Sequence, residues 1–181
     1  DVRENLSEML QWTINNYTSQ SKIKKSSRIS TKDTQIGIIT NKITGVSKAV
    51  MRLKNLQQFY LANSPITYDK ICTDWTDPNS SYAQQYEKEN LSWAGMTNLT
   101  DVELYNCVNL TRLPLDMVGN LPELQLLNIA CNQNISGAQL REDWSKLCDM
   151  PAGPRLQILY MGYNNLEEFP EDAQLRKMVK F

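Results

Sequence analysis

The sequence predicts an α/β right-handed solenoid: a horseshoe with a parallel β-sheet on its concave side and a helical cap at its N-terminus. Two observations carry this. One apolar template, Leu-x-x-Leu-x-Leu-x-x-Asn/Cys-x-Leu, is matched five times in order, which chance does not produce. The matches begin at residues 33, 56, 99, 124 and 156, and two of the steps, 23 and 25 residues, are the length of a single coil.

The elements follow in chain order. In residues 2–17, Leu6, Met9, Leu10, Ile14 and Tyr17 recur at helical spacing. A helix there is read as a lid over the first coil, because solenoid ends need a polar cover; a partner-binding helix is the alternative. With its polar linker it makes a first unit, 1–30, and the repeat domain runs over 31–181. The first coil supplies Ile36, Ile38, Asn41 and Ile43, and the second Leu56, Phe59, Leu61, Ser64 and Ile66. The third supplies Leu99, Val102, Leu104, Cys107 and Leu110, and the fourth Leu124, Leu127, Ile129, Asn132 and Ile135. The fifth supplies Leu156, Leu159, Met161, Asn164 and Leu166. The long steps place insertions at about 67–98 and 137–155. The second insertion reads as a helix from Ala138 to Cys148, capped by Ser136, with Leu140, Trp144 and Leu147 turned to the solenoid. Met178 opens a truncated sixth coil, so the chain is expected to be a piece of a longer repeat protein.

The spacing has a physical cause. The fourth and sixth template residues lie on one face of a short strand and point inward together. No coil can bury them alone, so neighbours must stack. At the ninth position the chain bends, and its buried backbone groups need a side-chain partner. Asn supplies both donor and acceptor, which makes Asn41, Cys107, Asn132 and Asn164 a structural ladder.

The residues between point outward onto the concave sheet. Gln58, Tyr60, Asn63, Asp101, Glu103, Tyr105, Asn128, Tyr160 and Tyr163 are the candidate partner-binding set. Tyrosine is enriched in recognition surfaces, although it also favours exposed sheet positions for its own sake. Asp101 and Glu103 share a face, as the acid and base of a glycan-active enzyme would; two solvated carboxylates on a strand are the stronger reading, and no catalytic residue is assigned.

Composition removes other classes. The chain has no histidine, so Ser-His-Asp, Cys-His and histidine-metal chemistry are closed to it. Its four cysteines form no CxxC, and Asp74, Asp77 and Asn79 miss the spacing of a calcium loop. Neither metal nor cofactor is expected. Cys107 is expected as a buried thiol, and no disulfide is expected, Cys72 and Cys148 being the one easy pair. Net charge is -1, which points away from nucleic acid, and no apolar stretch is long enough to span a bilayer. Seven Asn-x-Ser/Thr sequons occur, but the repeat itself writes Asn-Leu-Thr at Asn98 and Asn109.

The template is that of the leucine-rich-repeat family, which the chain resembles over roughly residues 30–181. "LTDVELYNCVNLTRLP", "LPELQLLNIACN" and "ILYMGYNNLEEFPEDAQLRKMVKF" are similar to leucine-rich-repeat proteins of gut Bacteroidales, and this closer likeness spans most of residues 50–181. The resemblance implies a secreted or cell-surface protein, an outer-membrane lipoprotein in full-length form. It also implies a non-enzymatic module that binds an unknown protein or glycan through its concave face. A structural spacer within a longer surface protein is the alternative.

Overall fold

The structure, a computed structural model, describes residues 35–39, 44–46, 48–71 and 89–165. Five strands form one sheet: β1 (Gln35–Ile39), β2 (Gln58–Ala62), β3 (Asp101–Tyr105), β4 (Leu126–Asn128) and β5 (Ile158–Tyr160). They lie in chain order, every neighbour parallel. Each strand begins at the third template residue of its coil. The register therefore aligns Gln35, Gln58, Asp101, Leu126 and Ile158 in one row. Neither long step disturbs it, so the extra residues are absorbed away from the sheet.

The inward template residues form one continuous core. Leu56, Leu61, Leu99, Val102, Leu104, Leu124, Leu127 and Ile129 are fully buried. Each such side chain contributes about 1.5–3 kcal/mol of transfer free energy before entropy is counted. In the fifth coil Leu156 is buried while Leu159 and Met161 are half-buried. On the convex side lie a single helical turn, α1 (Leu115–Val118), and a longer helix, α2 (Gly137–Cys148). The α2 helix starts one residue before its expected bound, and the Ser136 hydroxyl caps it by accepting the Gln139 N–H at 3.2 Å. Leu140, Trp144 and Leu147 are buried, as their spacing predicts.

The ninth-position ladder has the same geometry in successive coils. Asn132, fully buried, accepts the Cys107 N–H at 2.7 Å. Its amide donates to the carbonyls of Leu104 (2.7 Å) and Ile129 (2.8 Å). One coil later Asn164 accepts the Asn132 N–H at 2.6 Å and donates to Ile129 at 2.9 Å. One coil earlier Cys107 substitutes sulfur: its thiol reaches the Leu61 carbonyl at 3.8 Å and receives the Ser64 N–H. Burial pushes this thiol up to about 12, the Ser64 hydrogen bond opposing the shift. Asn41 lies outside the described residues.

A second, exposed ladder runs beside it. Asn109, Asn134 and Asn165 each stand just before the last apolar residue of a coil. Each donates its amide to a backbone carbonyl of the coil before: Pro65 (3.1 Å), Val108 and Gln133. Asn98 does likewise toward Lys54 at 2.7 Å. Asn98, Asn109 and Asn134 are therefore sequon asparagines with structural work of their own. On the convex side Asp143, buried in α2, accepts Arg112 Nη2, the Leu113 N–H and Gln139 Nε2, each at 2.9 Å. Arg112 in turn sits 5.0 Å above the Tyr68 ring, so one carboxylate helps clamp the second, third and fourth coils together.

The expected N-terminal cap and linker (1–30) and the truncated sixth coil fall on residues outside those described, as does Cys72, whereas Cys148 is buried at the end of α2. Among the described residues, no helix is long and apolar enough to cross a membrane, and no three His, Cys, Asp or Glu side chains gather as a metal ion needs.

Candidate functional site

The concave face is built by register. Parallel strands about 4.8 Å apart turn template positions into rows across the sheet. The fifth-position row reads Gly37, Tyr60, Glu103, Asn128, Tyr160. At the eighth position the strand ends, and Asn63, Asn106, Cys131 and Tyr163 take φ values of 54°, 51°, 63° and 58°. All four are left-handed, a conformation that Asn tolerates and that bulkier side chains rarely adopt. Asn at two of these positions was the signal for it in the sequence; Cys131 and Tyr163 carried none.

Amides on neighbouring strands hold the two carboxylates. Gln58 Nε2 donates to Asp101 Oδ2 at 2.9 Å, and Asn128 Nδ2 donates to Glu103 Oε2 at 3.0 Å. Asn128 is itself fixed, its Oδ1 accepting the Ala130 N–H at 3.0 Å. Asn106 donates to Asn63 at 2.8 Å. Among the described residues, each carboxylate thus keeps a second oxygen uncommitted and no lysine or arginine pairs with either.

Gly37 shapes this half of the face. A Cβ there would stand 4.0 Å from Tyr60 Cδ1, so the missing side chain leaves a notch beside the ring. Gln35, Gln58, Asp101 and Glu103 complete its walls around a volume of about 180 Å³. That is below the roughly 300–1,000 Å³ of pockets that enclose small-molecule ligands. It suits one side chain better than a bound sugar chain in the grip of an acid-base pair. The notch is a feature the sequence reading missed, since a glycine in a strand marks only an absence.

The other half is aromatic and aliphatic. Tyr105, Ile158, Tyr160 and Tyr163 are exposed, Tyr163 to 83%. A hydrogen bond with Cys131 first, and repulsion between their ionised forms second, hold the Tyr105 phenol above its usual range, with smaller repulsions from Tyr60 and Tyr163. Tyr60, Tyr105 and Tyr163 therefore share one neighbourhood. All nine candidate residues stand on or at the edge of this one face. Asn63, Asn106 and Asn128 are engaged in bonds within it, whereas the tyrosines are not needed to close the core.

No protein-family model matches the chain, and no protein of curated function does. Solved structures do. A leucine-rich-repeat protein from Bacteroides thetaiotaomicron is 61% identical over 98% of the chain, with a TM-score of 0.72. One from Bacteroides eggerthii is 54% identical over 98%, with a TM-score of 0.71. The chain spans 21% and 28% of the length of these two proteins. With its five stacked parallel strands, its asparagine ladder and this identity, the chain is a leucine-rich-repeat protein similar to those of Bacteroides.

Proposed function

We propose that the chain is a non-enzymatic recognition module of a secreted or cell-surface protein, binding its partner through the concave face. The fold supports binding rather than catalysis in general, because repeat solenoids present an extended concave surface on a rigid frame. The observation that carries the assignment is the exposure of Tyr105, Tyr160 and Tyr163 on one sheet face whose opposite face supplies the core. A fold needs apolar side chains inside, and these large rings are spent outside, where tyrosine gives contact area at low entropic cost. The surface location rests on the likeness to Bacteroidales proteins.

The test compares the chain with Y60A/Y105A/Y160A on protein and glycan arrays, with a hydrolysis assay on every glycan bound. Ligands lost in the triple variant support the reading. Ligands retained by it move the site elsewhere, turnover makes the module an enzyme, and an empty array leaves the spacer. Protease shaving of intact cells expressing the full-length protein tests the location; full protection overturns it.

A further inference from the structure

We infer, building on the concave-face reading, that the partner is a protein segment carrying a lysine or arginine four residues from an apolar residue. The basic side chain enters the notch at Gly37, and the apolar one rests on Leu126 and Ile158.

The argument is charge complementarity. None of the residues at the third, fifth, seventh and eighth positions of the five coils is Lys or Arg, although these make up 19 of the 181 residues. The same positions hold Asp101 and Glu103, each pinned by an amide and, among the described residues, not neutralised by a cation. Gln58 and Asn128 fix the carboxylate geometry before any ligand arrives, which lowers the ordering cost of binding. The Tyr60 ring lines the same notch. An aromatic face beside carboxylates is a good environment for a guanidinium or ammonium group: ring quadrupole on one side, charged acceptors on the other.

The third-position row then changes character, from Gln35, Gln58 and Asp101 to Leu126 and Ile158. Ile158 is 44% exposed. Aliphatic side chains offer a sugar no hydrogen bond and suit a protein side chain. From the notch, centred near β2, to the β4–β5 pair is between two and three strands, about 12 Å. An extended segment crossing the strands covers that distance in about four residues and keeps alternate side chains on one face. The expected pattern is therefore a basic residue at i and an apolar one at i+4.

Phage-displayed random 12-residue peptides selected on the chain provide the test. Selected sequences are expected to share Lys or Arg four residues from Leu, Ile or Phe. A synthetic winner should bind about tenfold more weakly to D101N/E103Q, which keeps the shape and removes the charge, and likewise on raising salt from 50 to 500 mM, roughly as desolvated charge pairs do. Gly37→Leu, filling the notch, should block it, with circular dichroism confirming that each variant is folded. Peptides that bind D101N/E103Q as well as the parent overturn the inference. If those peptides still need Tyr60, Tyr105 and Tyr160, the concave-face reading survives alone. Selection of no peptide overturns the inference too. So does displacement of a winner by a neutral oligosaccharide, which would make the ligand a glycan.

Discussion

Asn132→Ala removes three hydrogen bonds from a fully buried position. The Ile129 carbonyl keeps Asn164 as a donor. The Cys107 N–H and the Leu104 carbonyl lose the Asn132 side chain altogether. Each buried polar group left without a partner costs about 1–3 kcal/mol, so the pair costs about 2–6 kcal/mol. Against a total stability of about 5–15 kcal/mol, that is a large fraction. With a urea dependence of about 2 kcal/mol per molar, the unfolding midpoint should fall by about 1–3 M. The buried Trp93 and Trp144 make intrinsic fluorescence a suitable readout. Asn132→Cys is the informative companion. One coil earlier, Cys107 already accepts a ninth-position N–H and reaches a sixth-position carbonyl through sulfur, so this variant should recover part of the loss. A midpoint for Asn132→Ala within about 0.3 M of the parent, or a cysteine variant no better than the alanine, would refute the ladder as the reason for asparagine here.

Three further outcomes are expected. The Cys107 thiol ionises near 12 in the folded chain against 9.0 for the ordinary thiol. Its folded value is the raised one, so its contribution is intact below pH 9 and is lost as pH climbs toward 12, at up to about 1.4 kcal/mol per pH unit; Cys107→Ser should flatten the alkaline arm of stability against pH, and parallel arms would count against the burial of a neutral thiol. Cys131→Asn places at φ 63° the residue type that Asn63 and Asn106 supply at the same position, and should raise stability by about 0.5–1 kcal/mol in urea titration. Asp143→Ala strips the partner from Arg112 and the Leu113 N–H and should cost about 3–5 kcal/mol, with faster amide exchange concentrated in α2.

Most of the scaffold was legible in the sequence because it depends on a period. Phe59 and Leu61, or Val102 and Leu104, alternate by two within a strand and recur by coil between strands, so spacing alone placed all five strands and their parallel order. The helix after Ser136 was legible from a cap and an apolar stripe. The site was less so. That Tyr60 and Tyr160 share a row followed from the template. That Gly37 opens a notch did not, because a cavity is a relation among side chains from three strands. The Asn128–Glu103 and Gln58–Asp101 bonds join residues 25 and 43 positions apart, and only the register reveals them. The second ladder was hidden for a different reason: Asn109 and Asn134 look like sequons or like pattern, and their backbone partners lie in the preceding coil.

The concave residues do not all testify equally to function. Asn63, Asn106, Asn128 and Gln58 hold the face together, and selection for folding alone accounts for them. Tyr163 is different. Its backbone is in the left-handed region, which costs a tyrosine roughly 1 kcal/mol or more. Its side chain is 83% exposed and buries little in return. Among the described residues it makes no hydrogen bond or ion pair. Nothing among the described residues repays this strain, and on the reading proposed above a partner on the concave face does. Tyr163 stands three strands from Tyr60 on the same face, at the eighth position of the coil whose third residue is Ile158. The face therefore holds a polar notch, an aliphatic pair and an exposed ring, and a partner that answers only the notch would leave the costliest of its residues without a reason.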